Sequence, residues 1–139
     1  MDTANVAAAA CYGIVALTSV AFGALYLVRS SFMPYHREAV GRPWQDLDPR
    51  LRALLLGLMR VAGGGLVASG LALAVLLAFP FRDGLAWSRW ALFLIGLAAT
   101  LPSLYATVSI RLRTGARTPV WVSVAGVALI GLGAVLSAV

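Results

Sequence analysis

The chain has no lysine, one cysteine and one histidine, and none of its five acidic residues lies inside a long apolar run. Each shortage removes a class of chemistry. Cys11 has no partner for an internal disulfide and cannot supply a thiolate metal cluster. Set in an apolar run, it reads as a small buried hydrophobe. A lone His36 excludes a bis-histidine haem within one chain, and His36 with Glu38, Asp46 and Asp48 matches no strong metal-ligand spacing. Neither a metal nor an organic cofactor is therefore expected. Carboxylate-free apolar runs argue against a small proton-coupled multidrug transporter. A glycine-rich phosphate loop, an HExxH pair and a nucleophile elbow are all missing.

Charge is scarce as well. Charged residues make up 12% of the 139 positions and hydrophobic residues 61%, against roughly 25% charged in soluble domains. The charges gather between four long stretches that carry almost none, a pattern that suits a lipid solvent. The net charge of +6 reflects eleven arginines against five acids. No basic stretch is interleaved with exposed aromatics, so the excess reads as membrane topology and not as nucleic-acid binding.

The apolar stretches predict helices over about 6–28, 49–79, 87–110 and 119–138, with an interfacial cytoplasmic loop over about 29–48. The run from Val6 to Val28 reaches roughly 35 Å at 1.5 Å per residue, enough for a hydrocarbon core of about 30 Å. Asp2 precedes this run and Arg29 follows it. Those flanks are the reverse of a cleaved signal peptide's, so the run is expected to stay as a span with its N-terminus outside. Asp48-Pro49 and Thr118-Pro119 each pair a capping side chain with a proline suited to the first helical position, and Pro80 is expected to end the second span. The short connections 81–86 and 111–117 make consecutive helices antiparallel neighbours. The expected fold is all-α, a single integral membrane domain built as an up-down four-helix bundle.

Orientation follows from the arginines. Arg29, Arg37, Arg42, Arg50, Arg52, Arg111, Arg113 and Arg117 fall on one side, and Arg82 and Arg89 on the other. The richer side is expected to be cytoplasmic, which sets both termini in the periplasm of a bacterial inner membrane. Trp87 and Trp90 are expected in the outer aromatic belt, and Tyr26 and Trp121 in the inner one.

Four features are candidates for function. Arg60 is the one ionisable residue well inside an apolar run. Two placements are open for it: snorkelling at the cytoplasmic boundary, about 28 Å of helix from Phe79, or facing inward to pair with an anion or with Asp46. Gly96, Thr100, Ser103 and Thr107 form a polar stripe on the third span, since offsets of four, three and four share one face. The stripe is expected to line a small cleft, with Tyr105 near its cytoplasmic end. The first loop carries Phe32, Met33, Tyr35 and Trp44, expected to dip into the membrane interface, and His36, Arg37 and Arg42, expected at headgroup level. Within it Pro34 suits the opening of a short helix and Gly41 its close, with Pro43 barring its return. Arg111, Arg113 and Arg117 stand before the fourth span, whose free N–H groups suit a lipid phosphate. Small residues at four-residue spacing, Ser19 with Gly23 and Gly65 with Ser69, fit close helix contact.

The run FMPYHREAVGRPW, then DPRLRAL, a triple glycine and TGARTP resembles a group of small four-helix bacterial membrane proteins over most of the chain. The layout is also similar to the DoxX-like proteins, which have four helices and a long first loop. Membrane glutathione transferases of the MAPEG group share the size and helix count, but their Asn and Glu signature on the second helix is missing here. The first expectation is a non-enzymatic inner-membrane protein that binds anionic lipid headgroups or a partner membrane protein through its arginine-rich loops, with self-association open. The alternative is a small-solute transporter using Arg60 and the stripe. An enzyme is the least favoured, with only His36 and Tyr35 to nominate.

Overall fold

The computed structural model describes residues 2–138 and is all-helical among them. Five α-helices follow in order: α1 (Thr3–Val28), α2 (Pro34–Val40), α3 (Pro49–Leu76), α4 (Ala86–Thr114) and α5 (Val120–Ala138), with a 3-10 turn at Trp44–Asp46 and a π-helical extension of α3 over Leu77–Phe81. Four of these, α3 counted with its extension, are long and apolar enough to cross a membrane.

The helix ends follow local chemistry. Asp2 caps α1 by accepting the Asn5 N–H at 2.7 Å, and Asp48 caps α3 by accepting the Arg50 N–H at 2.8 Å. Each satisfies a donor that the first turn leaves without a helical partner. Pro34 opens α2, and Gly41 closes it at φ 69, a left-handed conformation that a Cβ disfavours. Pro80 does not end the second span. Its ring has no N–H and crowds the carbonyl four residues back. The backbone widens into a π-turn instead, and the Leu85 N–H reaches the Pro80 carbonyl at 2.9 Å. Helix α4 also outruns its expected end at 110 and closes only at Gly115, φ 71. Arg111 and Arg113 therefore belong to its last turn, where cations favour the negative end of the helix dipole.

Helix α1 packs chiefly along α3 and α5, α4 packs along α5 and α3, and α1 scarcely meets α4. The contacting residues give the directions. Gly23 meets Gly63 and Ala16 meets Gly70, so α1 and α3 run antiparallel. Gly96 meets Ile130 and Thr100 meets Gly126, so α4 and α5 do too. The buried core (Ala8, Tyr12, Val15, Ala16, Leu73, Phe81, Leu92, Ile130) sits toward the end of the molecule that carries both termini.

The α1–α3 seam is a backbone contact. A Cβ on Gly23 would lie 2.6 Å from the Gly63 carbonyl oxygen, one on Gly63 would lie 2.8 Å from that of Gly23, and one on Gly70 would lie 2.7 Å from that of Ala16. The glycines that matter are thus seven residues apart, Gly63 and Gly70. Gly65 has nothing within 4 Å of its Cβ position and takes no part. Seven residues are two turns, which returns the small residue to the same seam. Gly63→Ala and Gly70→Ala are each expected to destabilise the protein by about 1–3 kcal/mol through overpacking. Gly64→Ala and Gly65→Ala, at open positions, should be neutral or stabilising by up to about 1 kcal/mol. Denaturant titration in mixed micelles separates the two pairs, and equal effects would refute the backbone seam.

Candidate functional site

Two concave sites meet at α2. The first is a cleft of about 590 Å³ in the loop-one region, lined by Arg29, Arg37, Arg42, Glu38, Phe32 and Trp44 among others. It exists because loop one folds onto the foot of α3. Phe32 is buried with Leu47 and Met59, and Tyr26, Met33, Trp44 and Leu55 pack around them. Phe32 and Trp44 stack edge to face with ring centroids 4.9 Å apart. Phe32 is therefore a protein anchor and not a membrane one, a correction that follows from the non-local partner Met59.

The arginines face different surroundings. Arg37 and Arg42 are exposed, whereas Arg29 is half-buried. The Nε of Arg29 is buried with no hydrogen-bond partner among the described residues. A buried guanidinium donor without a partner is costly, because its desolvation is not offset by a hydrogen bond. Glu38, on the same cleft, turns one carboxylate oxygen to the backbone N–H of Arg117 at 2.8 Å. That bond ties α2 to the connection before α5, and it uses the backbone of residue 117 and not its side chain.

The second site is a cavity of about 450 Å³ among α1, α4 and α5, with Leu66 of α3 and Tyr35 of α2 also in its wall. Thr100, Ser103 and Thr107 of the stripe line it, whereas Gly96 packs against Ile130 instead. Tyr105 does not; it is exposed on another face of α4. The phenols at this end are Tyr26 and Tyr35, whose hydroxyls hydrogen-bond to each other. Burial first, then the bond to Tyr26, pushes the Tyr35 phenol well above its ordinary value, so it remains a protonated donor.

The remaining candidates separate. Arg60 is exposed and belongs to neither lining. Arg111, Arg113 and Arg117 are exposed, and only Arg117 adjoins the start of α5. The expectation that all three stand before the fourth span is corrected by the length of α4. Among the described residues no three His, Cys, Asp or Glu side chains converge as a metal site. His36 instead packs edge to face with Tyr35, centroids 4.4 Å apart, and with Tyr26, 6.1 Å. Its Nδ1 accepts the Met33 N–H at 3.4 Å. The Tyr26–Tyr35 pair escapes sequence reasoning. Nine residues and a turn of chain separate the two, and only the reversal of the chain after Arg29 brings them together.

Burial lowers the His36 pKa from its ordinary value of 6.5, which fits a neutral ring accepting at Nδ1. The folded value lies below the unfolded one. The ring's contribution to stability is therefore complete above pH 6.5 and is lost as the pH falls through the folded value. The melting temperature in detergent is expected to fall below pH 6.5 in the wild type and to be flatter over that range in His36→Asn, which keeps an acceptor without the titration. Parallel pH profiles would rule His36 out as the cause. Compared with protein-family models, with curated proteins and with solved structures, the chain finds no match.

Proposed function

We propose that the protein is a multi-pass membrane protein that binds the phosphate of an anionic lipid headgroup in the cleft of loop one. The observation that carries this reading is the convergence of Arg29, Arg37 and Arg42 on one cleft whose acidic neighbour, Glu38, is turned to the backbone of Arg117. A phosphate in the cleft accepts from more than one of these guanidinium groups, in the charge-assisted geometry that they favour. Trp44 and Phe32 give the cleft an apolar wall that suits the glycerol region of a lipid. The antiparallel pairings support an up-down four-helix bundle, and the arginine distribution supports loops one and three in the cytoplasm of a bacterial inner membrane, with both termini in the periplasm. The transporter reading has weaker support, because Arg60 faces outward on α3, away from the cavity.

Native mass spectrometry after release from vesicles of mixed phosphatidylglycerol and phosphatidylcholine tests the proposal. The wild type should retain one phosphatidylglycerol. Arg29→Gln should weaken that retention about tenfold, the size of one charge-assisted hydrogen bond, while Arg111→Gln with Arg113→Gln should leave it nearly unchanged. Full retention in Arg29→Gln would overturn the headgroup site. Orientation has its own check. Cysteines placed at the exposed Val40 and Thr114 should react with an impermeant thiol reagent only from the cytoplasmic side, and one at Asp83 only from the other. The reverse pattern would invert the topology.

A further inference from the structure

The cavity among α1, α4 and α5 has a shape and a hydrogen-bonding character of its own. Its lining runs from Ile14 to Tyr26 on α1 and from Trp121 to Leu129 on α5. These are about 18 and 12 Å of helix, so the space is long in the direction of the helices. No Arg, Asp, Glu or His contributes to the wall. Trp121 lines the cavity and is also widely exposed, so the cavity communicates with the outer surface of the helices there.

The hydroxyls along the wall are largely occupied. Thr18 donates to the Ile14 carbonyl at 2.7 Å, Thr100 to that of Gly96 at 2.8 Å, Ser103 to that of Ala99 at 3.1 Å and Thr107 to that of Ser103 at 2.9 Å. Bonds of this kind use the one donor of each of these hydroxyls, so the middle of the wall has few donors to offer a polar ligand and is otherwise apolar. The loop-one end differs. Tyr26 and Tyr35 share one hydrogen bond, and one bond between two hydroxyls leaves one O–H free to donate. A hydrocarbon therefore suits the length of the cavity, and a hydrogen-bond acceptor suits its end.

We propose that this cavity holds a single fatty-acyl chain, with the carboxyl or ester carbonyl oxygen at its head accepting from the Tyr26–Tyr35 pair. The chain comes either from a free fatty acid or from a membrane phospholipid; the two share the chemistry that the cavity reads. The site is separate from the arginine cleft. Pro34, Arg37 and Glu38 of α2 face the cleft, at the offsets that share one helix face, while Tyr35 faces the cavity. The proposal therefore does not depend on headgroup binding.

Photocrosslinking in phosphatidylcholine vesicles tests it, with a diazirine carried in one arm by palmitic acid and in the other by the acyl chain of phosphatidylcholine. Labelled residues are mapped by peptide mass spectrometry. Labelling should concentrate on Phe22, Ser103 and Ser123, several-fold above the exposed Leu17, Leu94 and Leu132. It should fall by at least half in Ser103→Phe, which fills the cavity, and in the Tyr26→Phe/Tyr35→Phe double variant, which removes the donor. Ser123→Leu serves as a second filling variant should Ser103→Phe not fold. Labelling by palmitic acid alone supports a free fatty acid, and labelling by phosphatidylcholine alone supports a lipid chain. Arg42→Gln, on the cleft and remote from the tyrosine pair, should leave cavity labelling unchanged, whatever it does to phosphatidylglycerol. Equal labelling of cavity and lipid-facing residues of the wild type in both arms overturns the proposal.

Discussion

The close approach of α1 to α3 shapes the rest of the molecule. In lipid there is no hydrophobic force between helices, because the acyl chains around them are as apolar as their side chains. Contact must come from backbone surfaces that touch, and Gly23, Gly63 and Gly70 let them touch. Helix α1 is thereby held to α3 along one side. On its other side Tyr12 lies against Gly133 of α5, where a Cβ would sit 3.0 Å from the ring. Nothing comparable draws α1 to α4. Toward the termini the gap is closed by large side chains, with Tyr12, Leu92 and Ile130 fully buried. Toward loop one the facing residues are Ser19, Thr100, Ser103 and Ser123, too small to fill it, and the cavity is what remains.

Small polar residues in that half serve a second purpose. A hydroxyl in hydrocarbon must find a partner, and the nearest is a carbonyl of its own helix. Thr100, Ser103 and Thr107 all take that route. The Ser103 bond falls next to Pro102, whose missing N–H already leaves the Ala98 carbonyl without its usual donor. Thr118 extends the same logic between elements: its hydroxyl donates to the Thr107 carbonyl at 2.7 Å and holds the start of α5 against α4. A polar stripe of this kind satisfies its own donors while leaving a wide space between the helices.

What was legible in the sequence divides along the line between local and non-local chemistry. The four spans, the caps at Asp48 and at Pro34 and Gly41, and the stripe on α4 all depend on residues within one or two turns of each other, so spacing reveals them. The end of α4 is local too, but its signal is Gly115 and not the arginines, which are charged and still helical. Pro80 misleads because a proline breaks an α-turn without forbidding a π-turn. Which glycines matter is not local at all. Gly63 and Gly65 stand two residues apart in one run, yet one touches α1 and the other touches nothing. Only the facing helix decides between them. Tyr105 and Tyr35 carry the same lesson for the site: the phenol on the striped helix points away, and the one that lines the cavity arrives from loop one.

Loop one therefore does more than connect two spans. Its length is unusual for a compact helical domain, and the structure gives each part of it a task. Phe32 and Trp44 hold it to α3, Glu38 ties it to the connection before α5, and Tyr35 joins Tyr26 at the mouth of the cavity. Helix α2 presents arginine to one side and a phenol to the other, so a single seven-residue helix borders both sites. Arg29 stands where they meet, on the lining of the cleft and close enough for its charge to act on the Tyr35 phenol. A shift of α2 consequently alters both sites together. The lowered pKa of His36, whose ring stacks on Tyr35, places one proton-sensitive contact at that shared wall.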